Sequence, residues 1–333
     1  MTRNRLTHST RAVAVAALAL AIAGCGGAQA SPQAAGPAPA TSNADAAKAL
    51  AAYDRTNNEV NAAFDVDGLD RIEAPPMRTS SRAWLRIKQE LERPIPPSVS
   101  KDAKFLSPAG NAHPRWFVAV ATSVRGGVPS ARPGYTVFVQ KSEGAPWLAA
   151  YSARPTEPVA PLVTNGAGAV EALSDPTGLA ITPAALGAAI FKHYTARTTA
   201  DQFARTPALD DQLSAGYRVG KEMYAARDWV LSRTLNKSSY PTYALRTKDG
   251  GALAFTASVV TDRVKSADED DSVTLDAGSN EAALNGHPEG LKTRQLTIQR
   301  LQMFLTYIPP KANGQQIRVL AYSDTPIKVT SAD

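Results

Sequence analysis

Trp116-Phe117-Val118-Ala119-Val120-Ala121-Thr122 decides the fold class, because its side chains alternate between two environments at every second residue. Trp116, Val118, Val120 and Thr122 share one face of an extended strand, and that period separates the segment from a helix. Two further runs repeat the pattern: Tyr135, Val137 and Val139, then Trp147, Ala149 and Tyr151. Gly126, Gly127, Pro129, Pro133 and Gly134 fill the first gap, and Lys141, Ser142, Glu143 and Gly144 make a second of hairpin size. Connections this short and turn-rich favour antiparallel neighbours, so the three runs predict a meander.

Upstream the period is helical. Ala46, Leu50, Tyr53, Val60 and Phe64 recur at three or four residues, with Asp45, Lys48, Asp54 and Glu59 elsewhere on the helix. Gly68 breaks it, a short continuation through Leu69 and Ile72 follows, and Pro75 and Pro76 stop it. A second helix is predicted from about Ser80 to Glu92, ended by Pro94, Pro96 and Pro97. Pro155, Pro158, Pro161, Gly166 and Gly168 then mark a composition shift, after which the order repeats. Thr182 and Pro183 suit a helix start, and Leu186, Ala189, Ile190, His193 and Tyr194 follow at helical spacing. Another helical stretch spans Ala208 to Ala226. Beyond Trp229 come strands marked by Tyr243 and Leu245; by Leu253, Phe255, Ala257 and Val259; by Leu301, Met303, Leu305 and Tyr307; and by Ile317, Val319 and Ala321. Asp249-Gly250-Gly251 gives the strongest hairpin signal. Each half therefore reads as helices first and an antiparallel sheet second, an α+β arrangement in which helices cover one sheet face. The expected domains are 44–157 and 179–333, joined by a linker at 158–178.

The remaining N-terminal residues carry an address. Arg3, Arg5 and Arg11 precede an uncharged run from Ala12 to Ala23, which ends at Gly24-Cys25. At about 1.5 Å per helical residue this run spans about 18 Å, short of the roughly 30 Å hydrocarbon core, so residues 1–24 predict a secretory signal and not a membrane span. Ile22-Ala23-Gly24-Cys25 looks like a bacterial lipobox, which makes Cys25, the single cysteine of the chain, the expected lipidation site. Diacylglycerol on Cys25 would then attach the protein to the extracytoplasmic face of the cell membrane. The 18 residues from Gly26 to Asn43 hold no charge and no apolar period, and are expected to act as a tether. Across all 333 residues, 36 Lys and Arg against 30 Asp and Glu give +6, spread along the chain, which does not support nucleic-acid binding.

The order of elements resembles the nuclear-transport-factor-2-like and cystatin-like α+β rolls, whose bent sheet wraps a helix and often leaves a conical cavity. That resemblance implies two tandem α+β rolls, each with N-terminal helices packed on a curved antiparallel sheet. Four features also make the chain similar to a family of actinobacterial lipoproteins with an uncharacterised domain. They are the lipobox with its tether, Tyr53-Asp54-Arg55-Thr56-Asn57-Asn58, Pro114-Arg115-Trp116-Phe117-Val118-Ala119, and Gly144-Ala145-Pro146-Trp147. No catalytic residues come with this resemblance.

Linear signatures of chemistry are weak. Ser98 and Lys101 match Ser-x-x-Lys, but the companion Lys-Thr-Gly is absent and Pro96 and Pro97 predict a loop. Asp65, Asp67 and Gly68 imitate a calcium loop whose first and last ligand positions are Ala63 and Ala74. Asp268, Glu269, Asp270 and Asp271 are dense enough for calcium, though such runs are more often solvated. Gly166-Ala167-Gly168 lacks the strand and third glycine of a dinucleotide site, and His113, His193 and His287 have no metal-ligand spacing. Neither a metal nor another cofactor is expected.

Aromatic residues remain as candidates for pocket lining: Tyr53, Trp84, Trp116, Tyr135, Trp147 and Tyr151 in the first half, Trp229, Tyr243 and Phe255 in the second. The alternative for each is plain core packing. The sequence thus predicts a non-catalytic envelope lipoprotein binding a small ligand or another envelope protein. The other reading is an envelope hydrolase whose acid and base meet only in the fold.

Overall fold

The computed structural model describes residues 36–196, 200–237, 239–268 and 271–332. Cys25 with its signal-like segment lies outside the described residues, as do Glu269 and Asp270 of the acidic run. Helix α1 (Asn43–Ala63) begins where the Ser42 hydroxyl accepts from the Asp45 amide, and it ends at Phe64 in the left-handed conformation, before Gly68 is reached. A 3₁₀ turn over Asp67–Arg71 leads to α2 (Met77–Glu90), which starts three residues ahead of expectation, directly after Pro76.

Five strands follow: β1 (Ser98–Leu106), β2 (Arg115–Arg125), β3 (Val128–Pro129), β4 (Gly134–Gln140) and β5 (Leu148–Ala153). They form one antiparallel sheet in the order β1-β2-β4-β5, with β3 on β2. The meander of β2, β4 and β5 is the one expected, but a register shift between Val137 and Phe138 puts Tyr151 on the face opposite Trp147 and Ala149. Strand β1 corrects the expected loop: Ser98 and Lys101 sit in an edge strand paired with Arg125 and Thr122, beside a register shift between Lys101 and Lys104. Its sequence hid it because Ser98, Ser100, Lys101, Asp102 and Lys104 leave this edge strand without an apolar alternation.

The second half opens with Pro183–Ala185, a 3₁₀ turn behind Thr182, and α3 (Leu186–Ala196). A π-helical stretch, Pro207–Ser214, runs into α4 (Ala215–Ala225). Then come β6 (Trp229–Asn236), β7 (Tyr243–Arg246), β8 (Ala252–Ser266), β9 (Val273–Leu275), α5 (Asn280–Leu284), β10 (Leu291–Thr293), β11 (Gln295–Ile308) and β12 (Arg318–Ala332). The large sheet runs β12-β11-β8-β6, with β7 on β8, and β9 and β10 pair separately. β6 and β7 follow one another along β8, so one sheet edge is built in two pieces.

Parity explains the packing. Leu253, Phe255, Leu301, Met303 and Leu305 point from the large sheet onto Val118, Val137, Val139 and Leu148 of the first, in one apolar cluster. Each such side chain contributes about 1.5 to 3 kcal/mol on full burial. The opposite face of the first sheet, with Phe117, Ala119 and Phe138, takes Ala46 and Leu50 of α1. The far face of the large sheet, with Ala252, Ala254, Phe304 and Ile308, takes Leu186 and Ile190 of α3 and Leu209 and Leu213 of the π-helical stretch. The layers therefore read helix, sheet, sheet, helix, and each half does carry its helices on one face of its own sheet. The two sheets share a core instead of standing as separate bodies, and residues 36–332 fall within one compact unit. The segment expected to link them is pinned: Val170 is buried in the shared core, and Leu162 and Ala172 make bridges to Thr247 and Leu245.

Candidate ligand-binding site

The aromatic candidates separate into three groups. Trp116, Tyr151, Tyr243 and Phe255 meet between the sheets, with ring centres 5.2 Å apart for Trp116–Tyr243 and 5.9 Å for Tyr151–Tyr243, and the Tyr151 hydroxyl donates to the Pro241 carbonyl at 2.6 Å. These rings are core. Trp84 packs with α1 residues under Lys88, whose ammonium stands 5.6 Å from its ring, and Tyr135 borders a recess of only about 130 Å³. Trp229 lines a cavity of about 500 Å³, and Tyr53 and Trp147 line another of about 740 Å³.

The cavity at Trp229 lies on the helix-covered face of the large sheet. Leu231 and Arg233 of β6, Asp262 of β8, Leu296 and Arg300 of β11, and Tyr322 and Asp324 of β12 form its floor; Tyr217, Gly220 and Tyr224 of α4 close it from above. Asp262 shares strand parity with buried Val260 and Val264, and the register sets Arg233 directly opposite it. Arg233 binds Asp262 through both arms of its guanidinium, Nε to Oδ1 at 2.5 Å and Nη2 to Oδ2 at 2.7 Å. Side-chain exposure is 8 % for Arg233 and 4 % for Asp262, so both charges are out of water and depend on each other. Arg300 adds 3.2 Å to Asp262, 2.5 Å to Glu281 and 3.5 Å to Asp324. The Tyr322 hydroxyl donates to Asp324 at 2.8 Å, and the Arg233 guanidinium lies 4.8 Å from the Tyr217 ring centre.

This floor is fixed in charge. Burial opposes the cations, but the hydrogen bonds and charge of Asp262 hold Arg233 above its ordinary value, and Asp324, Glu281 and Asp262 do the same for Arg300. Burial pushes Tyr194, behind Arg233, up to about 12, and pushes Tyr322 up as well, with Asp324 adding to it. Such groups hold their protons at neutral pH.

The larger cavity lies between α1 and the rim of the first sheet. Arg115 stands opposite Gln140 in the β2–β4 register and donates to its Oε1 at 2.6 Å and to the Ala40 carbonyl at 3.3 Å. Behind this wall the Tyr53 hydroxyl donates to Glu73 at 3.1 Å. Glu73 is 1 % exposed, and burial raises its carboxyl from 4.5 to about 7 although Ser81, Tyr53 and Arg78 favour the charged form. Burial, and then the Glu73 charge, also raises the Tyr53 hydroxyl.

The remaining motifs are engaged elsewhere. The Ser98 hydroxyl meets that of Ser123 at 2.9 Å; Asp65 accepts from the Gly68 amide at 2.8 Å and pairs with Arg71 at 3.3 Å. Gly168 has a left-handed φ of 82° and donates to Asn165 in a turn. The His193 ring lies 5.0 Å from Phe203, and His287 faces Glu289 at 3.1 Å. Among the described residues no group of three or more His, Cys, Asp or Glu is placed to hold a metal.

Sequence reasoning found Trp229 and missed Arg233, Asp262, Arg300 and Asp324. The signal was present: Asp262 and Arg300 occur at positions whose strand parity points to the buried face, where a charge requires a partner.

The fold and cavities together define an α+β protein of two stacked antiparallel sheets with ligand-sized hollows on its outer, helix-covered faces. The chain belongs to the family described as a domain of unknown function, DUF8094, which matches residues 37–331. It is similar to an uncharacterized lipoprotein of Streptomyces avermitilis, 28 % identical over 221 residues that cover 65 % of this chain and 62 % of the relative. It is also similar to an uncharacterized lipoprotein of Streptomyces coelicolor, 30 % identical over 222 residues, 64 % of each chain. The matched region thus spans less than two thirds of these relatives. No solved structure matches the chain.

Proposed function

We propose that this protein is a lipid-anchored envelope protein, held to the extracytoplasmic face of the cell membrane by diacylglycerol on Cys25, and that it binds a small polar ligand without turning it over. The naming of the two Streptomyces relatives as lipoproteins and the lipobox support the anchor. The observation that carries the binding role is the cavity floored by Arg233, Asp262 and Arg300 and walled by Tyr217, Tyr224 and Trp229. Aromatic walls with a few fixed polar groups bind and orient, and charges locked in mutual ion pairs are poor proton carriers.

Native mass spectrometry of the chain released from its own membranes tests the binding role. A bound small molecule is expected on the wild type and not on Gly220→Trp, which projects an indole into the open space at that cavity wall. Equal occupancy in both, or none in either, ends this reading. For the anchor, palmitate label is expected on the wild type and absent from Cys25→Ser; label kept by the variant removes Cys25 from the account.

One observation favours a second reading, an envelope hydrolase. Tyr53 and Glu73 form an acid pair beside the larger cavity, with Glu73 near neutrality. Hydrolysis of cell-wall or lipid esters abolished by Glu73→Gln, with the fold intact, would establish it.

A further inference from the structure

Two residues that line the larger cavity each carry a buried polar atom without a partner: Nε of Arg115 and the hydroxyl of Thr41. Thr41 is 5 % exposed, and its own amide is already engaged with the Ser107 hydroxyl at 3.1 Å. A guanidinium N–H can only donate, so the group that completes Arg115 must be an acceptor. Arg115 meets only neutral oxygens, Gln140 Oε1 and the Ala40 carbonyl, and among the described residues no carboxylate pairs with it. Gln140 cannot turn away, because its Nε2 donates to the Ala145 carbonyl at 2.8 Å. Of the cations around the cavity, Lys48 pairs with Asp45 at 3.8 Å and Arg71 with Asp65 at 3.3 Å, which leaves Arg115 as the one without a carboxylate among the described residues.

We propose that this cavity binds the phosphate of an anionic ligand, its oxygens accepting from Arg115 and Thr41 and the remainder lying along Tyr53 and Trp147. A phosphodiester carries one negative charge, which matches the one guanidinium left without a carboxylate, and two of its oxygens can accept side by side from the planar guanidinium fork. Membrane headgroups are the natural source if Cys25 is lipidated, and this part rests on the anchor proposed above. Fifteen residues separate Cys25 from Ala40 on the cavity wall, and a chain of that length reaches at most about 54 Å. A site so tethered meets headgroup phosphate at high local concentration.

Calorimetric titration of the full chain, purified in a neutral detergent, with sn-glycerol 3-phosphate and with inorganic phosphate tests the site itself, whatever the state of Cys25. Saturable binding is expected, at least tenfold weaker in Arg115→Gln and several-fold weaker in Thr41→Val. The second variant replaces an unpartnered hydroxyl by a methyl of the same shape, so it remains informative if Arg115→Gln fails to fold. No saturable binding of either probe, or wild-type affinity in the folded variants, overturns the proposal. Vesicles then assign the source. Stronger retention of the chain on phosphatidylglycerol than on phosphatidylcholine, lost with Arg115→Gln, supports the headgroup; equal retention with intact glycerol 3-phosphate binding supports a free phosphate compound. Membrane attachment kept by Cys25→Ser, with phosphate binding preserved, overturns the anchor alone.

Discussion

Glu73 is the residue whose surroundings most change its chemistry. Its carboxyl lies beneath α1 and α2 with the Tyr53 hydroxyl at 3.1 Å, and burial moves it from 4.5 to about 7. A carboxyl that holds its proton more tightly when folded lends stability that is fully present below about pH 4.5 and is lost as pH rises through about 7. At about 1.36 kcal/mol per pH decade, the loss amounts to roughly 3 kcal/mol. Glu73→Gln cannot ionise, so its urea midpoint is expected to stay level between pH 4.5 and 7.5 while the wild type declines. A decline of equal size in both would show that Glu73 is not the titrating group. Nothing in Ile72-Glu73-Ala74-Pro75 announces this environment. The acid follows a short 3₁₀ turn and not a strand or long helix, so no period assigns it to a face.

At the scale of elements, alternation carried most of the information that was legible. It places β2, β4 and β5, and it separates Leu253, Phe255, Leu301 and Leu305 from the opposite face of their strands. Three things escaped it. β1 was lost because an edge strand has one neighbour to satisfy and shows little apolar pattern; β6 because Arg233, in the middle of Trp229–Asn236, interrupts the apolar set; and the far reaches of β8 and β11 because Asp262 and Arg300 look like solvent-facing residues. Those charges face inward because they satisfy one another. Asp262→Ala would strand the Arg233 guanidinium on the covered face of the sheet and leave Arg300 to Glu281 and Asp324, and a loss of about 3 to 5 kcal/mol is expected in urea unfolding. A loss under about 1 kcal/mol would mean that water already reaches the pair.

For the whole molecule, the sequence showed which side chains point together and could not show what they face. Val118, Val137 and Val139 read equally well as the lining of a first roll and as the floor of a junction, and the structure makes them the junction. The hydrogen bond from Tyr151 to Pro241 and that from Ser80 to Thr325 at 2.8 Å cross between the halves. Residues 36–157 produced alone are therefore expected to bind a hydrophobic dye and to unfold without cooperativity, and to lose the dye and melt cooperatively when 158–333 is supplied. Sharp, cooperative melting of the short piece would show instead that each half is self-sufficient.

Strand β12 follows every other described strand in the chain, yet three separate features wait for it. Tyr322 and Asp324 finish the cavity floor, Thr325 receives the Ser80 hydroxyl of α2, and Val319 accepts the Thr206 hydroxyl that caps the π-helical stretch. A nascent chain consequently has no competent intermediate form to offer: until that strand is delivered, the pocket, the helical roof and the lock between halves are all incomplete together, and proteolytic nicking there would disable them in a single event.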